Sequence, residues 1–246
     1  MAPQRKRIVH VADAAALAER ACDELLELAR RSIADQGTFR IALAGGSTPK
    51  LLYARLADQA QRTEFARWQV FFGDERNVAP DHADSNFRMA SESWLARGQV
   101  PAQNIHRIEG ELDSFQAATR YEQQLVAAFG SRSVPRFDVA LLGMGADGHT
   151  ASLFPNSSAL EESRAFVTST WVEKLGCNRI TLTLRTLNAA RAVYFLVAGA
   201  DKAATLRAVL HDAGDAQALP VRMIQPWDGA VTWFVDRAAA TQLGAD

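Results

Sequence analysis

Between positions 13 and 33, Leu17, Ala21, Leu25 and Leu28 recur at three- and four-residue intervals, which puts them on one face of a helix. Asp13 stands where it can cap the first turn, and Gly37 stands where the helix should end. Positions 39–44 are almost uniformly apolar and predict a short buried strand. The turn Gly45-Gly46-Ser47-Thr48 follows, with Pro49 suited to the first position of a new helix. The alternation continues with a strand at 68–72, a polar loop over 73–84, a helix opening near Ser85 and helical periodicity over 115–129. A buried strand at 137–142 leads into a second Gly-rich turn, Gly143-Met144-Gly145-Ala146-Asp147-Gly148-His149. Strands are then expected at 180–184, 193–197 and 230–235, with a helix over 202–210 between the last two. Strands alternating with helices predict an α/β fold: a mostly parallel sheet with helices on both faces. Gly176 and positions 212–219 read as loops, yet no linker, repeat or low-complexity tract divides the chain. Residues 1–246 are therefore expected to form one domain.

Composition narrows the class of partner. The chain has 27 Lys and Arg against 28 Asp and Glu, so no strong global field draws it to nucleic acid or a membrane surface, and any anion must be met by a local site. Its two cysteines, Cys22 and Cys177, stand far apart and predict neither a disulfide framework nor a structural zinc. The basic start leads into amphipathic sequence without a long apolar run, so a cytoplasmic location is expected, with neither secretion nor membrane insertion.

Ligands of an open α/β sheet sit outside the carboxyl ends of the strands, where three polar segments fall. In Gly45-Gly46-Ser47-Thr48 the glycines let the backbone approach an anion, and two hydroxyls and a helix N-terminus can hold it. A tight turn with Ser47 or Thr48 as helix cap explains the same residues. The spacing is neither that of a Walker loop nor that of a dinucleotide fingerprint, so a small phosphorylated metabolite fits better than a nucleotide. Gly73-Asp74-Glu75-Arg76 brings two acids and a base to a strand end, either as surface charge or as a site in which Arg76 faces an oxyanion or a phosphate. Asp147 and His149 lie two residues apart in the second glycine turn, where the carboxylate can orient an imidazole for proton transfer; an Asp-Gly turn with an incidental His is the plainer account. His10, His82, His106 and His211 have no comparable setting and read as surface or packing residues. No metal-ligand spacing and no GxSxG elbow is present, which leaves base-assisted water attack or proton transfer on a phosphorylated small molecule. Arg179, before the strand at 180–184, and Lys202, at a strand's carboxyl end, are either solvated or available to a phosphate.

Together, Ala44–Pro49, Gly73–Arg76 with Asp84-Ser85-Asn86 downstream, Leu142–Pro155, Arg179–Thr183 and Trp233–Ala239 closely resemble the 6-phosphogluconolactonase family, in order and over nearly the whole chain. Sugar-phosphate isomerases and deaminases of the same superfamily share the glycine turn and Asp-Gly-His, whereas Ser152-Leu153-Phe154-Pro155 resembles the lactonase branch. The resemblance implies a Rossmann-like fold of the glucosamine-6-phosphate isomerase type. It implies hydrolysis of 6-phospho-D-glucono-1,5-lactone without metal or organic cofactor, by a monomer or weak homodimer. His149 is then the general base or acid, Asp147 holds it, and Arg76 stabilises charge at the lactone carbonyl. Gly45, Gly46, Ser47 and Thr48 cradle the phosphate with Arg179 and Lys202, and Asp74 and Glu75 lie near the sugar hydroxyls. Three places depart from the family pattern: Ala146 and Arg185 stand where proline is common, and Leu175-Gly176-Cys177-Asn178 replaces a Pro-rich approach to Arg179. Loss of proline at 146 should loosen the turn by at most about 1 kcal/mol. A deaminase or isomerase would use the same acids and His to shuttle protons at carbon. A non-catalytic sensor is expected to carry an added DNA-binding module or an altered base; the N-terminal stretch is too short for the first, and His149 is present.

Overall fold

A computed structural model describes residues 5–60, 63–97, 100–130, 133–211 and 215–244. In chain order the strands are β1 (Arg5–Val11), β2 (Phe39–Leu43), β3 (Trp68–Phe72), β4 (Asp74–Arg76), β5 (Ile105–His106), β6 (Val139–Leu142), β7 (Val167–Val172), β8 (Cys177–Leu182), β9 (Ala192–Val197) and β10 (Ala230–Asp236). The α-helices are α1 (Ala14–Gln36), α2 (Ser47–Ala57), α3 (Asn86–Ala90), α4 (Ser114–Phe129), α5 (Leu184–Leu187) and α6 (Ala203–His211).

Local signals act as expected at several ends. Asp13 accepts from the Ala16 N–H at 2.9 Å, and Gly37, at φ 77°, returns its N–H to Ile33 O. Ser85 caps α3 through the Arg88 N–H. Seven strands form one parallel sheet in the order β1-β10-β9-β6-β2-β3-β5. Phe39 and Trp68 are register partners and share a face, where Phe39, Phe65 and Trp94 pack on the Trp68 indole at 4.7, 5.0 and 5.6 Å. Phe71 points to the opposite face and meets Phe129 of α4 at 5.5 Å. Helical segments therefore cover both faces, as the alternation predicts.

Three expectations change. The stretch at 180–184 is not a strand of the parallel sheet: β8 covers Cys177–Leu182 and lies antiparallel between β4 and β7 in a second, three-stranded sheet. The supposed polar loop after Phe72 thus contains β4, whose charged residues hid it. At the other end β1 pairs with β10 as an edge strand, although its four basic residues mask its alternation. Within the loop expected at 212–219, residues 212–214 lie outside the described residues.

Candidate active site

The parallel sheet reverses its winding between β2, whose chain continues to β3 on one side, and β6, whose chain continues to β9 on the other. Loops that leave neighbouring strands in opposite directions open a crevice. Here it is a cavity of about 240 Å³ whose walls include Gly45–Thr48, Asp74, Arg76, Gly143–Gly145, His149 and Lys202.

One wall of the cavity is built largely from backbone. The N-cap of α2 is Gly46, at φ 106°, which supplies no side-chain cap; Ser47 and Thr48 are the first helical residues rather than caps. Among the described residues the hydroxyls of Ser47 and Thr48 have no protein partner, and the first residues of the helix, its positive dipole end, line the cavity. Gly45 is needed for space, because a Cβ there would lie 2.0 Å from Asn86 Oδ1. Lys202 reaches the same cavity from the turn before α6, paired with the exposed Asp201 at 2.9 Å.

Another wall of the cavity is the second glycine turn. Gly145 donates its N–H to His149 O, Gly148 donates to Gly145 O, and Thr205 Oγ1 on α6 donates to Ala146 O at 2.5 Å. That last bond steadies the turn at Ala146. The His149 ring stacks on Phe154 at 4.3 Å, and its Nδ1 lies 2.5 Å from Asp147 Oδ1. A carboxylate can only accept, so Nδ1 carries the proton and Nε2 is the basic nitrogen. Burial alone raises the Asp147 carboxyl, but the Lys174 ammonium and the His149 imidazole outweigh it and hold it well below the usual carboxylate range.

Asp74 and Glu75, adjacent in sequence, part company. Asp74 lines the cavity, fixed by Ser152 Oγ at 2.7 Å and by Asn86 Nδ2. Glu75 is a correction to its expected place near the sugar. It is 2% exposed and accepts from the N–H groups of Arg76, Asn86 and Phe87 and from Ser85 Oγ, so it seats the start of α3. Burial pushes its carboxyl up against the pull of those three N–H groups. Arg179 also lies outside the cavity wall. It is the register partner of Arg76 across β4 and β8, on the same face as that guanidinium, and its buried Nε has no partner among the described residues. Arg76 itself is anchored by Nη1 on Asp84 O at 2.6 Å. Among the described residues no group of three or more His, Cys, Asp or Glu could hold a metal ion, and no helix is long and apolar enough to cross a membrane.

Residues 12–233 match the family described as glucosamine-6-phosphate isomerases/6-phosphogluconolactonase. The chain belongs to this family. It is 44% identical to a 6-phosphogluconolactonase of Nostoc sp. over 97% of this chain and 99% of that one, and 39% identical to one of Homo sapiens over 83% and 81%. Among solved structures, the 6-phosphogluconolactonase of Trypanosoma brucei superposes with a TM-score of 0.87 at 32% identity, covering 98% of this chain and 100% of that one. A monomeric glucosamine-6-phosphate deaminase shares the fold, with a TM-score of 0.80 at 21% identity over 96% of this chain and 99% of that one.

Against that family pattern, sequence reasoning left four contributors unassigned. Ser152 and Asn86 stood inside the quoted motifs without a role, and the fold makes them the clamps on Asp74. Thr205 and Lys174 carried no sequence signal, because each meets the Asp-Gly-His turn from a distant element.

Proposed function

We propose that this chain hydrolyses 6-phospho-D-glucono-1,5-lactone to 6-phospho-D-gluconate, the second step of the oxidative pentose phosphate pathway, with the sugar phosphate in the β2/β6 crevice. One juxtaposition carries the assignment: an Asp-oriented imidazole and an uncapped helix N-terminus with Lys202 face one small cavity. Gly45, Gly46, Ser47 and Thr48 take the 6-phosphate through backbone N–H groups and hydroxyls, and Lys202 neutralises it. Arg179 adds positive charge behind Arg76.

With the phosphate as handle, the lactone carbonyl lies between His149 and Arg76. His149 Nε2 removes a proton from water as the water oxygen attacks C1, and Asp147 steadies the imidazolium that forms. Arg76 stabilises the oxyanion. On collapse the C1–O5 bond breaks and Nε2 returns the proton to O5, leaving a carboxylic acid and a free C5 hydroxyl. Asp74, rigidly held, accepts from a sugar hydroxyl. Residues 1–246 act as one domain in the cytoplasm, as a monomer or weak homodimer, which light scattering and cell fractionation test.

The deciding assay follows lactone disappearance near pH 7, with the substrate generated in place, for wild type, His149→Ala and a protein-free blank. Wild type exceeds the blank, and His149→Ala loses roughly 10²-fold or more of that excess. A wild type no faster than the blank, together with ammonia release from glucosamine-6-phosphate, would move the chain to the deaminase branch.

A further inference from the structure

The β7–β8 hairpin turns over through Glu173–Leu175 and Gly176, the latter at φ 58°. Trp171 Nε1 donates to Glu173 Oε2 at 2.8 Å and ties the rim of the turn to its strand. The tip then lies against the Asp-Gly-His turn. Lys174 Nζ is hydrogen-bonded to Asp147 Oδ2, the oxygen opposite the one that holds His149, and stands 5.1 Å from the centre of the Phe154 ring. Phe154 in turn stacks on His149. Four side chains from three segments therefore close a ring of contacts: Lys174, Asp147, His149 and Phe154.

We propose that Lys174 is a positioning residue for the lactonase reaction: its ammonium fixes the rotation of the Asp147 carboxylate, so that Oδ1 holds His149 Nδ1 and Nε2 stays turned to the substrate. The inference rests on the lactonase function proposed above. Lys174 is about half exposed, and an exposed ion pair adds little to global stability. Its effect here is geometric and electrostatic. Asp147 has few other restraints: among the described residues, apart from Lys174, its carboxylate bonds only the ring and the backbone N–H of His149. Without the ammonium it can turn about its own side chain and let the imidazole rock on Phe154. Lys174 also offsets part of the negative charge that Asp147 carries beside His149. The other charged groups facing the dyad, Asp74 and Arg76 from β4 and Lys202 before α6, stand on the cavity wall and do not bond Asp147.

The test compares wild type, Lys174→Met and Lys174→Arg over a pH series, with kcat and KM measured separately. Lys174→Met keeps the stem but not the charge: kcat falls about tenfold while KM for the phosphorylated lactone holds. Lys174→Arg restores most of kcat. Thermal unfolding shifts by no more than about 2 °C, so loss of fold does not explain the change. A Lys174→Met enzyme with wild-type kcat overturns the proposal, and so does a raised KM at unchanged kcat, which would make Lys174 a substrate contact. Proton NMR of the His149 Nδ1–H gives a readout independent of turnover: it broadens or shifts in Lys174→Met and recovers in Lys174→Arg. An inactive wild type whose Nδ1–H still responds this way would refute the lactonase assignment but leave the clamp standing.

Discussion

A single methyl group at Gly145 tests the site's geometry. A Cβ there would lie 2.0 Å from His149 Nδ1, 2.2 Å from Cε1 and 2.5 Å from Asp147 Oδ1. Ordinary van der Waals contact begins near 3.4 Å, so in Gly145→Ala the imidazole must retreat by about 1.4 Å. It can retreat only toward the cavity, since Phe154 covers one face, and doing so breaks the bond by which Asp147 holds Nδ1. Gly145 has no positive φ, so the backbone tolerates alanine and the damage is confined to the dyad. A displacement of about 1 Å at a reacting group costs roughly 10²-fold in rate, or about 2.7 kcal/mol of transition-state stabilisation. In the coupled lactone assay, corrected for spontaneous hydrolysis, Gly145→Ala should lose at least that factor in kcat while circular dichroism and KM for the phosphorylated lactone stay near wild type. Activity within threefold of wild type would show that the Asp147–His149 contact is not what catalysis depends on.

Other outcomes follow from neighbouring contacts. Unphosphorylated gluconolactone gives the α2 N-terminus no anion and forfeits the contact with Lys202, so its kcat/KM should fall by roughly 10²-fold or more; Lys202→Met should raise KM for the phosphorylated lactone about tenfold and narrow that gap, and equal efficiency on both substrates would remove the phosphate cradle. Glu75→Ala strips partners from three N–H groups and the Ser85 hydroxyl, a loss of about 3 kcal/mol or more, and should lower Tm by about 6–12 °C in calorimetry; an unchanged Tm would return Glu75 to the candidate sugar contacts. Asp147 is held below its unfolded value, so its contribution to stability is full above the ordinary carboxylate range and is lost as pH falls toward the folded value. The Tm difference between wild type and Asp147→Asn should therefore shrink steadily below about pH 4, and a difference that grows in acid contradicts the ion-paired carboxylate.

Much of this protein was legible in one dimension because its decisive interactions are local. The Asp13 and Ser85 caps, the Gly37 stop, the buried β2, β3, β6, β9 and β10, and the two glycine turns each depend on residues within a few positions of one another. His149 and Asp147, two apart, make their hydrogen bond inside a single turn, so the motif already contained the dyad. Placement at strand ends also foretold the crevice, since a parallel sheet sends its loops to one edge. What only the tertiary structure decided involves partners far apart in the chain. Glu75 and Asp74 are chemically alike and adjacent, yet alternation along β4 and the approach of α3 bury one as scaffold and leave the other on the cavity wall. Arg179 became a neighbour of Arg76 only through antiparallel pairing with a strand too short and too charged to announce itself. Lys174 and Thr205 reach the Asp-Gly-His turn from 27 and 59 residues away. Local sequence sets backbone conformation over a turn or two, whereas contacts at such separations exist only once the sheet order has brought the segments together.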